Sequence, residues 1–225
     1  MMNWLNLIAW ISLILSAAQA VVITIDVIRH RQTMMPIMNI VWPLIGLFFP
    51  VVGLWAYLRL GREQSSSKSH SDVSGQEKPF WQSVFVSTTH CSAGCSLGDM
   101  VGAPLVFLTG ILIAGSSLLT DYIVEFVLAY IFGIAFQYFG MGFTKHQDPK
   151  AALKNAIKAD TLSLIAFEVG MFGWMALVSL VFFATPPEPD SPIFWLMMQI
   201  AMMLGFLTSY PANWVLVKQG VKHAM

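Results

Sequence analysis

Charge is what this chain has least of. Only 11% of its 225 residues are charged, against about 25% in an ordinary soluble domain, which excludes a water-facing globule of this size. Lys and Arg together number 12, as do Asp and Glu, so the formal net charge is +0. No basic excess exists to hold a phosphate backbone, and nucleic acid is not an expected partner. Cysteine is scarce as well: the 2 residues, Cys91 and Cys95, sit four apart in an apolar stretch, which is no framework for a secreted disulfide scaffold. Neither Gly-x-Ser-x-Gly nor Gly-x-x-x-x-Gly-Lys-Ser/Thr occurs, and there is no dinucleotide fingerprint. A nucleophile elbow and a phosphate loop are therefore missing, and an ATP-driven pump is excluded for this chain alone. No internal repeat is present either, which argues against an inverted-repeat transporter.

Hydrophobic residues, by contrast, make up 56% of the chain. Crossing a hydrocarbon core takes about 20 mostly apolar residues as a helix, and five such stretches are plain: Asn3 to Ile25, Ile37 to Leu58, Tyr122 to Phe143, Thr161 to Phe183 and Ile193 to Val217. A sixth lies in the long run from Phe80 to Thr120, too long for one span. This third span in chain order is expected to be broken or extended at its cytoplasmic end, an interfacial piece from Phe80 to about Thr89 leading into a spanning helix to about Ser117. The expected fold is all-α, a polytopic helical membrane protein of about six transmembrane helices. Residues 1–60 form a two-helix hairpin, 61–79 a serine-rich linker, and 80–225 a four-helix membrane domain.

The first stretch has no Lys or Arg before it and exceeds the core length of a signal peptide, so it is expected to stay attached. With the amino terminus inside, ten Lys and Arg fall on the inner side and two, Arg29 and Arg31, on the outer. The positive-inside rule then orients both termini toward the cytoplasm, with the bilayer itself as the first partner. Asp148-Pro149 is expected to start a helix that sets Lys150, Lys154 and Lys158 on one face against anionic headgroups. His70 in the linker has no second ligand at metal spacing and reads as a solvated histidine.

The chemistry concentrates in Thr89-His90-Cys91-Ser92-Ala93-Gly94-Cys95-Ser96-Leu97-Gly98-Asp99. On a helix, Cys91, Cys95 and Asp99 form one ridge, and Gly94, Gly98 and Gly102 form another beside it that lets a neighbouring helix approach closely. His90 lies about 100° round and joins the same site only if the helix begins or bends there, for which Ser87, Thr88 and Thr89 are suitable residues. Ordered by depth, Gln137 and Met141, then Asp160, Glu168 and Met171, then Tyr210 and Asn213 fall in the same half of the membrane. They are expected to line one inward-facing cavity, because intramembrane carboxyls are costly and functional by default.

Thiolate, imidazole and thioether are soft ligands. His90, Cys91, Cys95 and Asp99 are therefore the expected metal ligands, for copper or another soft transition-metal ion, with Gln137, Met141, Asp160, Glu168, Met171, Tyr210 and Asn213 as pathway or supporting groups. The first functional reading is metal handling or transport, with a metal donor or acceptor protein as partner and no catalytic residues assigned. A thiol, haem or quinone-linked redox protein is the second, and a non-catalytic scaffold in which the ridges only pack helices is the third.

At this motif the chain resembles an uncharacterised prokaryotic family of integral membrane proteins, a domain of unknown function whose signature is Thr-His-Cys-x-x-Gly-Cys-x-x-Gly-Asp. The runs Phe132 to Tyr138, Asp160 to Ser163, Gly170 to Met175 and Thr208 to Trp214 resemble it too, and the likeness extends from about Phe80 to the carboxyl terminus. The resemblance implies an inner-membrane location and no established activity.

Overall fold

The computed structural model describes residues 3–30, 36–62, 79–140 and 149–222. In chain order its helices are α1 (Asn3–Arg29), α2 (Met38–Phe48), α3 (Val52–Ala56), α4 (Phe80–Thr109), α5 (Ser117–Gly140), α6 (Pro149–Leu177) and α7 (Pro192–Lys218). Wider i→i+5 turns continue α3 through Tyr57–Gly61 and α6 through Val178–Phe182. Five of these, α1 and α4 to α7, are long and apolar enough to cross a membrane. The chain is a multi-pass helical membrane protein. Arg31, Lys68, His70, Lys78, Met141, Lys145 and Asp148 lie outside the described residues.

The second expected span, Ile37 to Leu58, is realised as two short helices. Pro50 has no N–H to continue the ladder, and Val51 takes φ 67°, a conformation that a β-branched residue rarely adopts. The break is held by buried Gln19 of α1. Its amide nitrogen donates to the Gly46 carbonyl and, at 2.7 Å, to that of Phe49, while its oxygen accepts from Val51 N at 2.9 Å. The groups that a broken helix leaves open are thus closed inside the protein, as an apolar surround requires.

The third span is extended and not broken. Phe80–Thr109 is one helix of 30 residues, without the expected bend at Ser87 to Thr89, and it stops eight residues short of Ser117. The reason lies in the hydroxyls: Thr88 and Thr89 donate to the carbonyls of Val84 and Phe85, each at 2.8 Å, and so stay in the helix instead of capping a new one. The stop is Gly110, at φ 63°, where a left-handed residue ends α4.

α4 and α7 are the inner helices of the body: 61% of the apolar window of each is buried, against 28% for α1 and α5. The glycine ridge sets the spacing. A Cβ on Gly94 would meet the Gly133 backbone at 2.9 Å, one on Gly98 would collide with the Ala129 backbone, and one on Gly102 would meet Glu125 Cγ at 2.8 Å. Antiparallel α5 therefore lays its own four-residue series, Gly133, Ala129 and Glu125, along the glycines of α4. α6 and α7 close up in the same way at Gly170 and Gly205. The front hairpin docks through Gln199 of α7, which accepts from Ser12 Oγ at 2.6 Å and donates to Ser16 Oγ and the Leu47 carbonyl. Trp4, Leu7, Trp10, Ile11 and Ile14 of α1 stay exposed, as lipid-facing residues do.

At one end of the body the chain folds back after α7. Gly220 takes φ 67°, and the backbone N–H groups of Val221 and Lys222 donate to the Leu216 carbonyl at 3.0 and 3.2 Å. That turn returns Lys222 to the bundle. The other end carries the loops 110–116 and 183–191.

Candidate functional site

At the Lys222 end, the Cys91 ridge of α4 faces α6 and α7. Cys91 Sγ is 3.1 Å from Ser163 Oγ, and Asn213 Nδ2 donates to the same hydroxyl at 2.5 Å. Lys222 Nζ donates to Asp160 Oδ1 at 3.0 Å and to Asn213 Oδ1 at 2.8 Å. Cys95 stands one turn above Cys91 on the same ridge. A Cβ on Gly133 would lie 3.3 Å from Asp160 Oδ2 and 3.9 Å from Cys95 Sγ, so the carboxylate and the second thiol share one wall. All of these groups are buried, and both cysteines are free thiols. Glycine at 133 is what gives them room.

Lys222 is the unusual member. A fully buried ammonium is costly unless it is paired and hydrogen-bonded. Burial pulls its pKa down, but Cys91, Asp160 and Cys95 outweigh burial and hold it protonated above the ordinary lysine range. The arrangement is a centre of negative and soft groups closed around one positive charge. The expected inward-facing cavity is therefore closed at this end, with the thiols at 1% and 0% exposure.

Two of the four expected metal ligands are not among the hydrogen-bonded groups of this centre. His90 does not turn toward the thiols, because α4 runs through it unbroken and sets its side chain toward α5. Its ring packs on α5, where a Cβ on Gly140 would meet Nε2 at 2.5 Å, and its centroid is 6.3 Å from that of Phe136. The Phe136 backbone lies near the ring, yet neither ring nitrogen has a partner at hydrogen-bond geometry. Asp99 is deeper, and the charges in its range are Glu168 of α6 and Glu125 of α5. Among the described residues, no group of three or more His, Cys, Asp or Glu is arranged to hold one metal ion.

The supporting residues divide similarly. Asp160 and Asn213 belong to the centre. Gln137 is buried with Oε1 unpartnered, and Met171 is buried in the core. Tyr210 does not reach the thiols: its hydroxyl donates to the Trp81 carbonyl at 3.3 Å and its ring stacks toward Phe206 and Trp214. Glu168 sits in the middle of α6 with both oxygens buried and unpartnered, as are both oxygens of Asp99.

Sequence reasoning missed Ser163, Glu125 and Lys222. Glu125 carried a signal, an acid inside an apolar span, four residues before the small Ala129 that meets the glycine ridge. Lys222 carried only Gly220, a helix-stop residue that turns the chain without saying where it goes.

A second feature lies at the loop end. A cavity of about 600 Å³ is bounded by the loops 110–116 and 183–191 and by α4, α5 and α6, with Asp121, Glu125 and Glu188 in its wall.

No curated protein and no solved structure matches the chain. Residues 18–62, most of the front hairpin, are similar to the Phospholipase_D-nuclease N-terminal family. The model of the family described as Domain of unknown function (DUF4396) matches residues 80–222, the whole four-helix body with its thiols, its acids and Lys222, and the chain belongs to that family.

Proposed function

We propose that the four-helix body is a carrier for a soft metal cation, copper(I) first, which binds between Cys91 and Cys95 beside Asp160, where the ammonium of Lys222 supplies the positive charge when cargo is absent. One observation supports this reading: the lysine is wholly buried, and the groups around it, a carboxylate, an amide oxygen and two thiols, are those that a cation would use. Two sulfur ligands suit Cu(I), which prefers soft donors in low coordination, so His90 and Asp99 are not needed in its shell. His90 then acts beside the centre and Asp99 further along the path. The excess of Lys and Arg on the inner side sets the Lys222 end toward the cytoplasm of a bacterial inner membrane, within reach of a donor or acceptor protein.

The test is metal content after exposure of detergent-purified protein to Cu(I) under reducing conditions. Lys222→Met is expected to bind copper stoichiometrically and more tightly than wild type, and Cys91→Ser or Cys95→Ser to lose it. Copper at background level in both wild type and Lys222→Met overturns the reading. The thiol-redox alternative would instead give a Cys91–Cys95 bond under mild oxidation, which four-residue helical spacing resists without local unwinding.

A further inference from the structure

We infer that the body contains a proton path that runs from the loop-end cavity to the thiol and Asp160 centre by way of Glu125, Asp99 and Glu168. The cavity brings the far side of the bilayer to Glu125, which lines its wall yet is itself 3% exposed. Glu125 packs against Gly102, one turn from Asp99, and Glu168 lies farther along α6 from Ser163, the residue that Cys91 meets, as Cys95 and Asp99 lie farther along α4 from Cys91. Cys95 and Asp160 meet across Gly133, and Asp160 holds Lys222. Protonatable groups thus follow one another from the wall of the cavity to the opposite end of the bundle.

The four oxygens of Asp99 and Glu168 are the second and independent observation. All are buried and none has a hydrogen-bond partner. A carboxyl group with a purely structural role would be capped or paired, as Asp26 of the front hairpin is, because leaving it open in an apolar interior costs several kcal/mol. Open acids on two adjoining helices are retained where a mobile proton or water-borne cation visits them. Their packing fits this: Gly102 leaves just the room that Glu125 occupies, so the acid is built against α4 and is no surface residue turned inward.

The transfer is balanced at every step. A carboxylic O–H gives its proton to an intervening water, which passes one of its own to the next carboxylate along; the donor becomes the carboxylate and is reloaded from the cavity side. Beyond Glu168 the proton passes to water beside the centre and leaves toward the Lys222 end. No electron moves. The inference goes beyond the carrier reading, and the path itself requires no metal.

The experiment exploits that independence. Wild-type protein is reconstituted, metal-free, into vesicles loaded with a pH-sensitive dye, and a potassium diffusion potential drives proton uptake. Uptake is expected to exceed that of empty vesicles by at least about fivefold, and to fall to the empty-vesicle rate in Asp99→Asn and Glu168→Gln. Glu125→Asp, which keeps the acid but shortens it, is expected to conduct at an intermediate rate. Size-exclusion profiles and melting curves establish that each variant folds, and copper content is measured on the same samples. Loss of flux in Asp99→Asn with copper binding intact supports the path. Flux at the empty-vesicle level in wild type, or wild-type flux in both Asp99→Asn and Glu168→Gln, overturns it. A failure of copper binding alongside normal flux overturns the carrier reading alone.

Discussion

The front hairpin and the four-helix body treat buried polar groups in opposite ways. In the front, Gln19 closes three backbone groups at the break after α2, and the Asp26 carboxylate accepts from the Tyr57 hydroxyl at 2.7 Å with Arg62 nearby. Only Trp42 Nε1 is left open there among the described residues. In the body, Asp99, Glu168, His90, Gln137 and three serine hydroxyls are buried with open atoms. Polar groups that complete the fold are satisfied by the fold, whereas groups that handle something else are left unsaturated. On the carrier reading proposed above, the front is architecture and the body carries the chemistry.

Five single substitutions and one double variant test that contrast, and the largest effect belongs to the glycine ridge on which the body is assembled. Gly98→Leu is expected to abolish folding, seen as loss of the monodisperse peak in detergent, because α5 backbone already occupies the position of a Cβ. A folded Gly98→Leu protein would mean that the helices do not pack as described.

Next comes Lys222→Met, which leaves the Asp160 carboxylate buried without its ammonium. A loss of about 3–5 kcal/mol is expected, measured by thermal or denaturant unfolding in detergent. The double variant Lys222→Met with Asp160→Asn should recover most of it, since it removes the whole pair. In the front, Gln19→Leu is expected to cost about 2–4 kcal/mol by opening two carbonyls and one N–H, and to leave copper content and proton flux unchanged. An altered flux in that variant would break the division between the two regions. Smallest of all, Asp99→Asn and Glu168→Gln are expected to shift stability by less than about 1 kcal/mol in either direction, because no hydrogen bond is lost, although both should abolish proton uptake. A large destabilisation would show that these acids serve structure after all.

Much of this was legible in the residues. The apolar stretches located the five long helices, because the length of a span is set by the bilayer and each is bounded by charge or by a helix stop. Depth along the helices puts Cys91, Cys95, Asp160 and Asn213 in one half of the membrane, and in the fold they lie around Ser163 and Lys222. Depth is one coordinate, however, and rotation about the axis is another. Tyr210 and Asn213 share a depth yet face different neighbours, one the Trp81 backbone and the other Ser163 and Lys222. His90 and Cys91 are adjacent in sequence but face α5 and α6. The break after α2 was hidden because its repair comes from Gln19, some thirty residues away in the chain.

Composition and periodicity alone therefore determined that the chain spans a membrane as helices, where those helices run, and that α4 carries a ridge of sulfur and carboxyl beside a ridge of glycine. These are local properties, dictated by transfer into hydrocarbon and by the 3.6-residue turn. Which ridge meets which helix, that Lys222 returns to neutralise Asp160, and that Asp99, Glu125 and Glu168 share one interior were decided only by tertiary packing. A buried charge takes its meaning from the groups that surround it in space, and those arrive from four different stretches of the chain.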